Sequence, residues 1–219
     1  MKALVFGGTG LIGTELLQLL AKNKSFKKVS AIVRKTHPIR LSDSIESVVF
    51  DFKNWTEIEH LFDSETHVYC CVGSTKKKTP DTSAYRSVDF DIPVNVAQIA
   101  QKKECISFSV ISSIGASAQS SNFYLNLKGQ MEYEISKSLR INWYIYRPSL
   151  LLGKRTEFRF GESFAQKIFS ALGFLFIGNL LKYKPIEAVT VAQAMIQASI
   201  KQLKSGIIEN QSIFGLANE

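Results

Sequence analysis

Residues 2–13 read Lys2-Ala3-Leu4-Val5-Phe6-Gly7-Gly8-Thr9-Gly10-Leu11-Ile12-Gly13, and this stretch decides the fold. The apolar run of residues 2–6 stops at glycines, as a buried strand does. Leu11 to Ala21 follows with apolar residues at helical spacing. Glycines between a strand and a helix have a specific use. Gly7 permits the tight turn, Gly10 lets backbone approach a pyrophosphate without a Cβ in the way, and Gly13 lets helix and strand pack closely. The start of the helix, with Thr9, Leu11 and Ile12 around it, offers free N–H groups and partial positive charge to phosphates. A glycine triplet alone is a weak signal. In this strand–turn–helix setting it predicts a dinucleotide-binding unit.

The end of the second strand, Val29 to Val33, selects the dinucleotide. An acidic residue there would accept hydrogen bonds from the ribose 2′-OH of NAD. This chain has Arg34 and Lys35 instead, about 20 residues after Gly13. Two cations suit the 2′-phosphate of NADP(H), and Arg can hold it with paired N–H donors. Asp51 and Phe52, after a third strand at Ser47 to Phe50, are expected to receive the adenine. Cys71, Val72 and Gly73 close a fourth strand, Val68 to Val72, where backbone would pass beneath the dinucleotide.

The rest of the chain continues the alternation. Trp55 to Phe62 reads as a short helix and Ser83 to Lys103 as a long one. Pro93 lies inside the long helix, so a kink or a later true start is expected. A strand at Ile106 to Ile111, a helix at Leu125 to Leu139 and a strand at Asn142 to Tyr146 follow. Thr190 to Ile200 is a last helix, with Thr190 and Gln193 placed as a capping box. Strands alternating with helices predict an α/β fold, a Rossmann-type doubly wound parallel sheet of six or seven strands. The reading is one domain over residues 1–219, with residues 153–185 as a small C-terminal helical cap. Phe158 to Leu181 holds many aromatics and three glycines. That composition suits a lid over a lipophilic substrate as well as it suits simple packing.

Ser112 and Ser113 end the fifth strand, where ligands lie in open parallel sheets. Of the two, Ser113 is taken as the hydroxyl facing the substrate. Tyr124 and Lys128 follow at a spacing that puts both on one helix face. An ammonium beside a phenol favours the phenolate. The tyrosine can then trade a proton with a carbonyl or alcohol while hydride moves to or from a nicotinamide. The spacing is cheap, with about 0.6 such pairs expected by chance, and Tyr133 with Lys137 is a second one. Nine residues at roughly 100° each put Tyr133 half a turn out of phase with Tyr124. Tyr124 is preferred because it starts the helix, near the strand ends.

The totals bound the alternatives. Apolar residues make up 45% and charged residues 21% of the 219, so disorder is not expected. The net charge of +8 is scattered apart from Lys76-Lys77-Lys78, which reads as a solvated loop, and no nucleic-acid-reading module accompanies it. Arg155 and Arg159 are candidates for a substrate anion and equally for surface ion pairs. Cys70, Cys71 and Cys105 form neither a disulfide framework nor a ligand spacing, and His37, His60 and His67 make no cluster, so no metal is expected. Reduced thiols suggest the cytoplasm. Residues 1–6 are too short for a secretory h-region, and Ile168 to Ile177 is about half a bilayer span. The expected partner is a small molecule, with a protein partner or homo-oligomer left open.

With Ser113, Tyr124, Lys128 and Arg147-Pro148 in place, the chain resembles the short-chain dehydrogenase/reductase superfamily in its atypical branch, from Met1 to about Ala198. More closely it resembles the Tat-interacting oxidoreductase family, whose members bind NADP(H). Residues 71–75, 120–125, 128–132 and 147–152 carry that likeness, and Gly161-Glu162 fits it. The resemblance implies NADP(H), and Tyr124, Lys128 and Pro148 join the expected cofactor-binding set. One departure is Val88-Asp89, where many superfamily members have Val-Asn. Three functions are compatible with these residues. The first is an NADP(H)-dependent oxidoreductase, preferred because a sensor needs only the cradle and not Tyr124 and Lys128. The second is a regulatory NADP(H) sensor with little turnover. The third, ranked last because the chain is short for the usual substrate domain, is an epimerase-like enzyme acting on nucleotide sugars.

Overall fold

The computed structural model describes residues 1–35, 44–74, 79–153 and 178–218. Seven parallel strands form its sheet: β1 (Lys2–Phe6), β2 (Lys28–Val33), β3 (Ile45–Val49), β4 (Thr66–Cys70), β5 (Ser107–Ile111), β6 (Asn142–Arg147) and β9 (Gly206–Glu209). They lie in the order β3-β2-β1-β4-β5-β6-β9. The order reverses between β1 and β4, the point at which such sheets open a crevice at their carboxyl ends. β7 (Leu151–Leu152) and β8 (Ile186–Glu187) form a separate two-stranded ladder.

Alternate residues of each strand feed opposite cores. Ala3 and Val5 join Leu16, Leu17 and Leu20 of helix α1 (Leu11–Lys22), with Val191 and Met195 of α5 (Ala188–Ile200) and Ile213 of α6 (Asn210–Ala217). Leu4 and Phe6 join Val96 and Ala100 of α3 (Ile92–Lys102) and Met131 and Ile135 of α4 (Phe123–Ser138) on the other face. Burial on both faces is why these strands read as near-continuous apolar runs.

Several expectations change. Trp55 to Phe62 forms two 3-10 turns, Trp55–Glu57 and Glu59–Leu61, rather than one helix. The long helix after β4 is three pieces: α2 (Thr82–Arg86), a π turn (Ser87–Asp91) and α3, with Pro93 in the first turn of the last. The Thr190–Gln193 capping box does not form. Helix α5 begins at Ala188 behind Glu187, which makes no side-chain cap, so Thr190 already lies within the first turn. The C-terminal third also contributes β9, a full member of the sheet beside β6. Most of the segment read as a cap or lid, together with Lys76-Lys77-Lys78, Arg155, Arg159 and Gly161-Glu162, lies outside the described residues.

Candidate functional site

The cradle between β1 and α1 is built so tightly that side chains are shut out of it. A Cβ on Gly7, whose φ is +77°, would lie 2.7 Å from the Cys71 carbonyl carbon and 2.8 Å from the Val72 nitrogen. A Cβ on Gly13 would lie 2.2 Å from the Gly7 oxygen. The Cys71–Val72 peptide thus runs against the glycine turn, and the Cys71 N–H extends the ladder to Phe6 O at 2.9 Å. Thr9 and Gly10 are exposed, Leu11 is half-buried, and Ile12 and Gly13 are buried. Gly10 caps α1 with no side-chain hydrogen bond, and the first turn holds no acidic residue. Open N–H groups, a positive helix end and a surface kept free of Cβ atoms fit a pyrophosphate.

The residues expected to meet the adenosine lie beyond β2 and β3. Arg34 and Lys35 are exposed at the end of β2, and neither has a carboxylate partner among the described residues. Phe52 holds the left-handed backbone conformation at φ 64°, costly for an aromatic residue. It packs with Phe50 at 5.1 Å and Trp55 at 5.9 Å between ring centroids. Asp51 is exposed and accepts from the Lys53 N–H at 2.9 Å.

At the other end, Lys128 and Asp89 form a buried ion pair, Nζ to Oδ1 3.0 Å, with side-chain exposures of 3% and 1%. The Lys128 ammonium also donates to Ile111 O at 3.2 Å, which places it at the end of β5, two residues from Ser113. Burial pulls its pKa down. The Asp89 carboxylate, helped by Tyr124, outweighs this and leaves it raised above the ordinary lysine value. Tyr124 is half-buried one turn earlier on α4. Tyr133 is 57% exposed, with the Lys137 ammonium 5.6 Å from its ring centroid, so the second Tyr–Lys pair faces away from Lys128.

The two serines differ in their ties. Ser112 is buried and donates to Glu132, which also receives the Arg147 guanidinium. Ser113 is half-buried, and among the described residues its hydroxyl makes only a long contact, 3.4 Å, to Ile114 O. Pro148 is buried beside it, and its carbonyl accepts from the Ile114 N–H at 3.1 Å. Gly73 is exposed at the mouth of the crevice. Burial pushes the Cys70 thiol up to about 12 and raises that of Cys71 as well, so neither is a ready thiolate. Sequence reasoning missed Asp89 and Glu132 as members of this end. The Val88-Asp89 departure, with Pro93 close after it, was the visible signal for the first. Glu132, four residues after Lys128 on the same helix face, was the signal for the second.

Fold and cradle together define a Rossmann-type dinucleotide-binding protein. A family model described as NAD(P)H-binding matches residues 7–168. The chain belongs to this NAD(P)H-binding family, as an atypical short-chain dehydrogenase/reductase-like protein related to the Tat-interacting and FMP52 proteins. It is 31% identical to "Protein FMP52, mitochondrial" of Kluyveromyces lactis, over 100% of both chains. It is 29% identical to rat "Protein HTATIP2", over 98% of this chain and 88% of that one. Among solved structures, UDP-glucuronic acid 4-epimerase from Bacillus cereus in complex with NAD aligns with TM-score 0.69 and 18% identity, over 96% of this chain and 78% of that one.

The cytoplasmic expectation is corrected by these relatives. The word mitochondrial stands in the name of the Kluyveromyces protein and of five further FMP52 relatives. Free cysteines had argued only for a reducing compartment, and they do not choose among such compartments. Among the described residues, no helix is long and apolar enough to cross a membrane.

Proposed function

We propose that the protein binds NADP(H) in preference to NAD(H) and acts on an alcohol or carbonyl centre. Arg34 and Lys35 hold the 2′-phosphate, while the N-terminus of α1 and the glycine turn hold the pyrophosphate. Asp51 and Phe52 flank the adenine, and Cys71 to Gly73 with Pro148 line the crevice. When bound, the cofactor supplies or accepts hydride at the carboxyl ends of the strands. Tyr124 gives or takes the proton at the substrate oxygen, Lys128 is its cationic neighbour, and Ser113 donates a hydrogen bond to that oxygen. The observation that carries this reading is the buried Lys128 ammonium, fixed at the end of β5 one helical turn from Tyr124. A lipophilic substrate rests on the composition of residues 158–181 alone.

The comparisons support NAD(P)H binding and an oxidoreductase- or epimerase-type fold. They weigh toward the two companion readings, a sensor or an epimerase-type enzyme, more than toward net oxidation or reduction. An epimerase-type cycle would use the same Tyr124 and Lys128 and return the hydride to the same substrate. One set of measurements separates the three. The purified protein is titrated with NADPH by fluorescence, then given a panel of carbonyl compounds and, separately, nucleotide sugars. NADPH consumption that falls by on the order of 10²–10⁴ in Tyr124→Phe, with binding retained, supports the oxidoreductase. Sugar interconversion without net consumption supports the epimerase. Binding without any turnover supports the sensor and removes the catalytic roles of Ser113, Tyr124 and Lys128.

A further inference from the structure

The helical stretch after β4 changes character where it passes the site, and the cause is in the sequence. Pro93 has no N–H, so the carbonyl of residue 89 has no ordinary helical donor four residues on. The chain adopts the π turn Ser87–Asp91, in which the Ile92 N–H reaches Ser87 O. Such a turn re-aims side chains, and π turns are frequent at functional sites. Asp89 is buried by it to 1% exposure. Its Oδ2 accepts from the Ser74 N–H at 2.8 Å, and its Oδ1 meets Lys128 Nζ at 3.0 Å. Since Lys128 also donates to Ile111 O, one ion pair joins the loop after β4, the π turn, α4 and the end of β5.

Burying two charges is an expensive way to hold four elements together, and apolar side chains of similar volume usually do so as well or better. The pair therefore calls for a role in the site itself. Unopposed, the Lys128 ammonium would act in full on Tyr124. The Asp89 carboxylate keeps Lys128 charged against burial and offsets that charge at Tyr124.

We propose that Asp89 is a positioning residue that fixes the Lys128 ammonium at the strand ends and offsets its charge at Tyr124. The phenol then enters the reaction protonated, and the site is set to give a proton to a carbonyl oxygen rather than to take one from an alcohol. This rests on the proposed roles of Tyr124 and Lys128. The other titratable and charged groups around the pair leave this balance in place. Cys70 on β4 is a buried thiol pushed up to about 12. Tyr85 on α2 donates to Ser74 O at 3.2 Å. Glu132, one turn further along α4, is neutralised by Arg147.

The test reads Tyr124 directly, in full-length protein carrying ¹³Cζ-labelled tyrosine, without added cofactor. The resonance is assigned by its absence in Tyr124→Phe. Asp89→Asn keeps the shape and an acceptor for the Ser74 N–H but removes the charge. Its Tyr124 titration midpoint is expected to fall by about one pH unit or more. An unmoved midpoint in folded Asp89→Asn overturns the proposal. The double variant Asp89→Leu/Lys128→Met removes the pair as a unit and guards against a single variant that fails to fold. Its midpoint is expected within about half a unit of the parent's, because the two charges cancel. A rise of about one unit or more there shows Lys128 acting uncompensated and overturns the proposal. Turnover that survives in Tyr124→Phe would remove the underlying reading while leaving these titrations standing, so the two failures are distinguishable.

Discussion

Arg147 at the end of β6 and Glu132 on α4 meet with Nε 2.9 Å from Oε1, and Ser112 donates to the same carboxylate oxygen. Glu132 is the main cause of a raised Arg147 pKa, so the guanidinium is charged at any working pH. The adjacent serines are therefore expected to separate cleanly. Ser112→Ala removes a buried bond to a charged group and should cost about 1–3 kcal/mol of stability. Ser113→Ala should leave stability nearly unchanged and lower turnover by on the order of 10²-fold. Urea unfolding and steady-state rates on both variants decide it. A stability loss in Ser113→Ala with normal turnover would reverse the assignment.

Arg34 is exposed at the end of β2, where the 2′-phosphate reading places its charge. Arg34→Ala should weaken NADP(H) by about 1.5–3 kcal/mol, one charge-assisted pair, and barely alter NAD(H). Titrating both cofactors against both proteins checks this. Equal losses for the two would mean that Arg34 does not read the phosphate.

The first six strands and the cradle were legible because both leave local signatures. The β1 run stops at glycines, Gly7 is demanded by its own positive φ, and Gly13 by contacts within the same turn. β9 was not legible. Gly206–Glu209 is four residues of half-exposed and exposed positions at a sheet edge, and its pairing with β6 is settled some 60 residues away in sequence. The site divides in the same way. Tyr124 and Lys128 follow from helical spacing. Asp89 depends on a π turn that periodicity does not encode, although Pro93 marked the place. Glu132 looked like one more helical carboxylate until β6 brought Arg147 to it.

His67 on β4 is buried and bonded to Ser107 Oγ at 2.8 Å. Burial, with the nearby N-terminal ammonium, pushes its pKa down to about 4 from the usual 6.5. In the unfolded chain the imidazole takes its proton near 6.5, so the native state binds fewer protons between those values. This contribution to stability is complete above pH 6.5. It is lost as pH falls toward 4, with a slope approaching about 1.4 kcal/mol per pH unit. Below 4 it no longer changes, because both states are protonated. Urea unfolding of the parent and of His67→Gln at pH 7, 6 and 5 is expected to show a shallower decline in the variant. Parallel declines would assign the pH dependence to other groups.

Gly129 sits on the face of α4 that touches the loop after β5. A Cβ there would lie 2.2 Å from the Ala118 nitrogen and 2.2 Å from the Ser117 carbonyl carbon, both backbone atoms that cannot rotate aside. The absent side chain is what lets the helix carrying Tyr124 and Lys128 lie flat against that loop. Gly129→Ala would ordinarily favour a helix by about 0.5–1 kcal/mol. Here overpacking should dominate, giving a net loss of about 1–3 kcal/mol or more. Gly215 is the control, because it also lies in a helix, α6, but a Cβ there meets nothing within 4 Å. Gly215→Ala should be neutral or mildly stabilising. Thermal and urea unfolding of the two variants give the comparison. In Gly129→Ala that remains folded, NADPH binding should survive better than turnover, because the cradle belongs to β1 and α1 while the displaced helix holds the proposed proton donor. A Gly129→Ala protein as stable and as active as the parent would show that α4 has freedom to move away from residues 117–118, and that the close approach is not what positions Lys128.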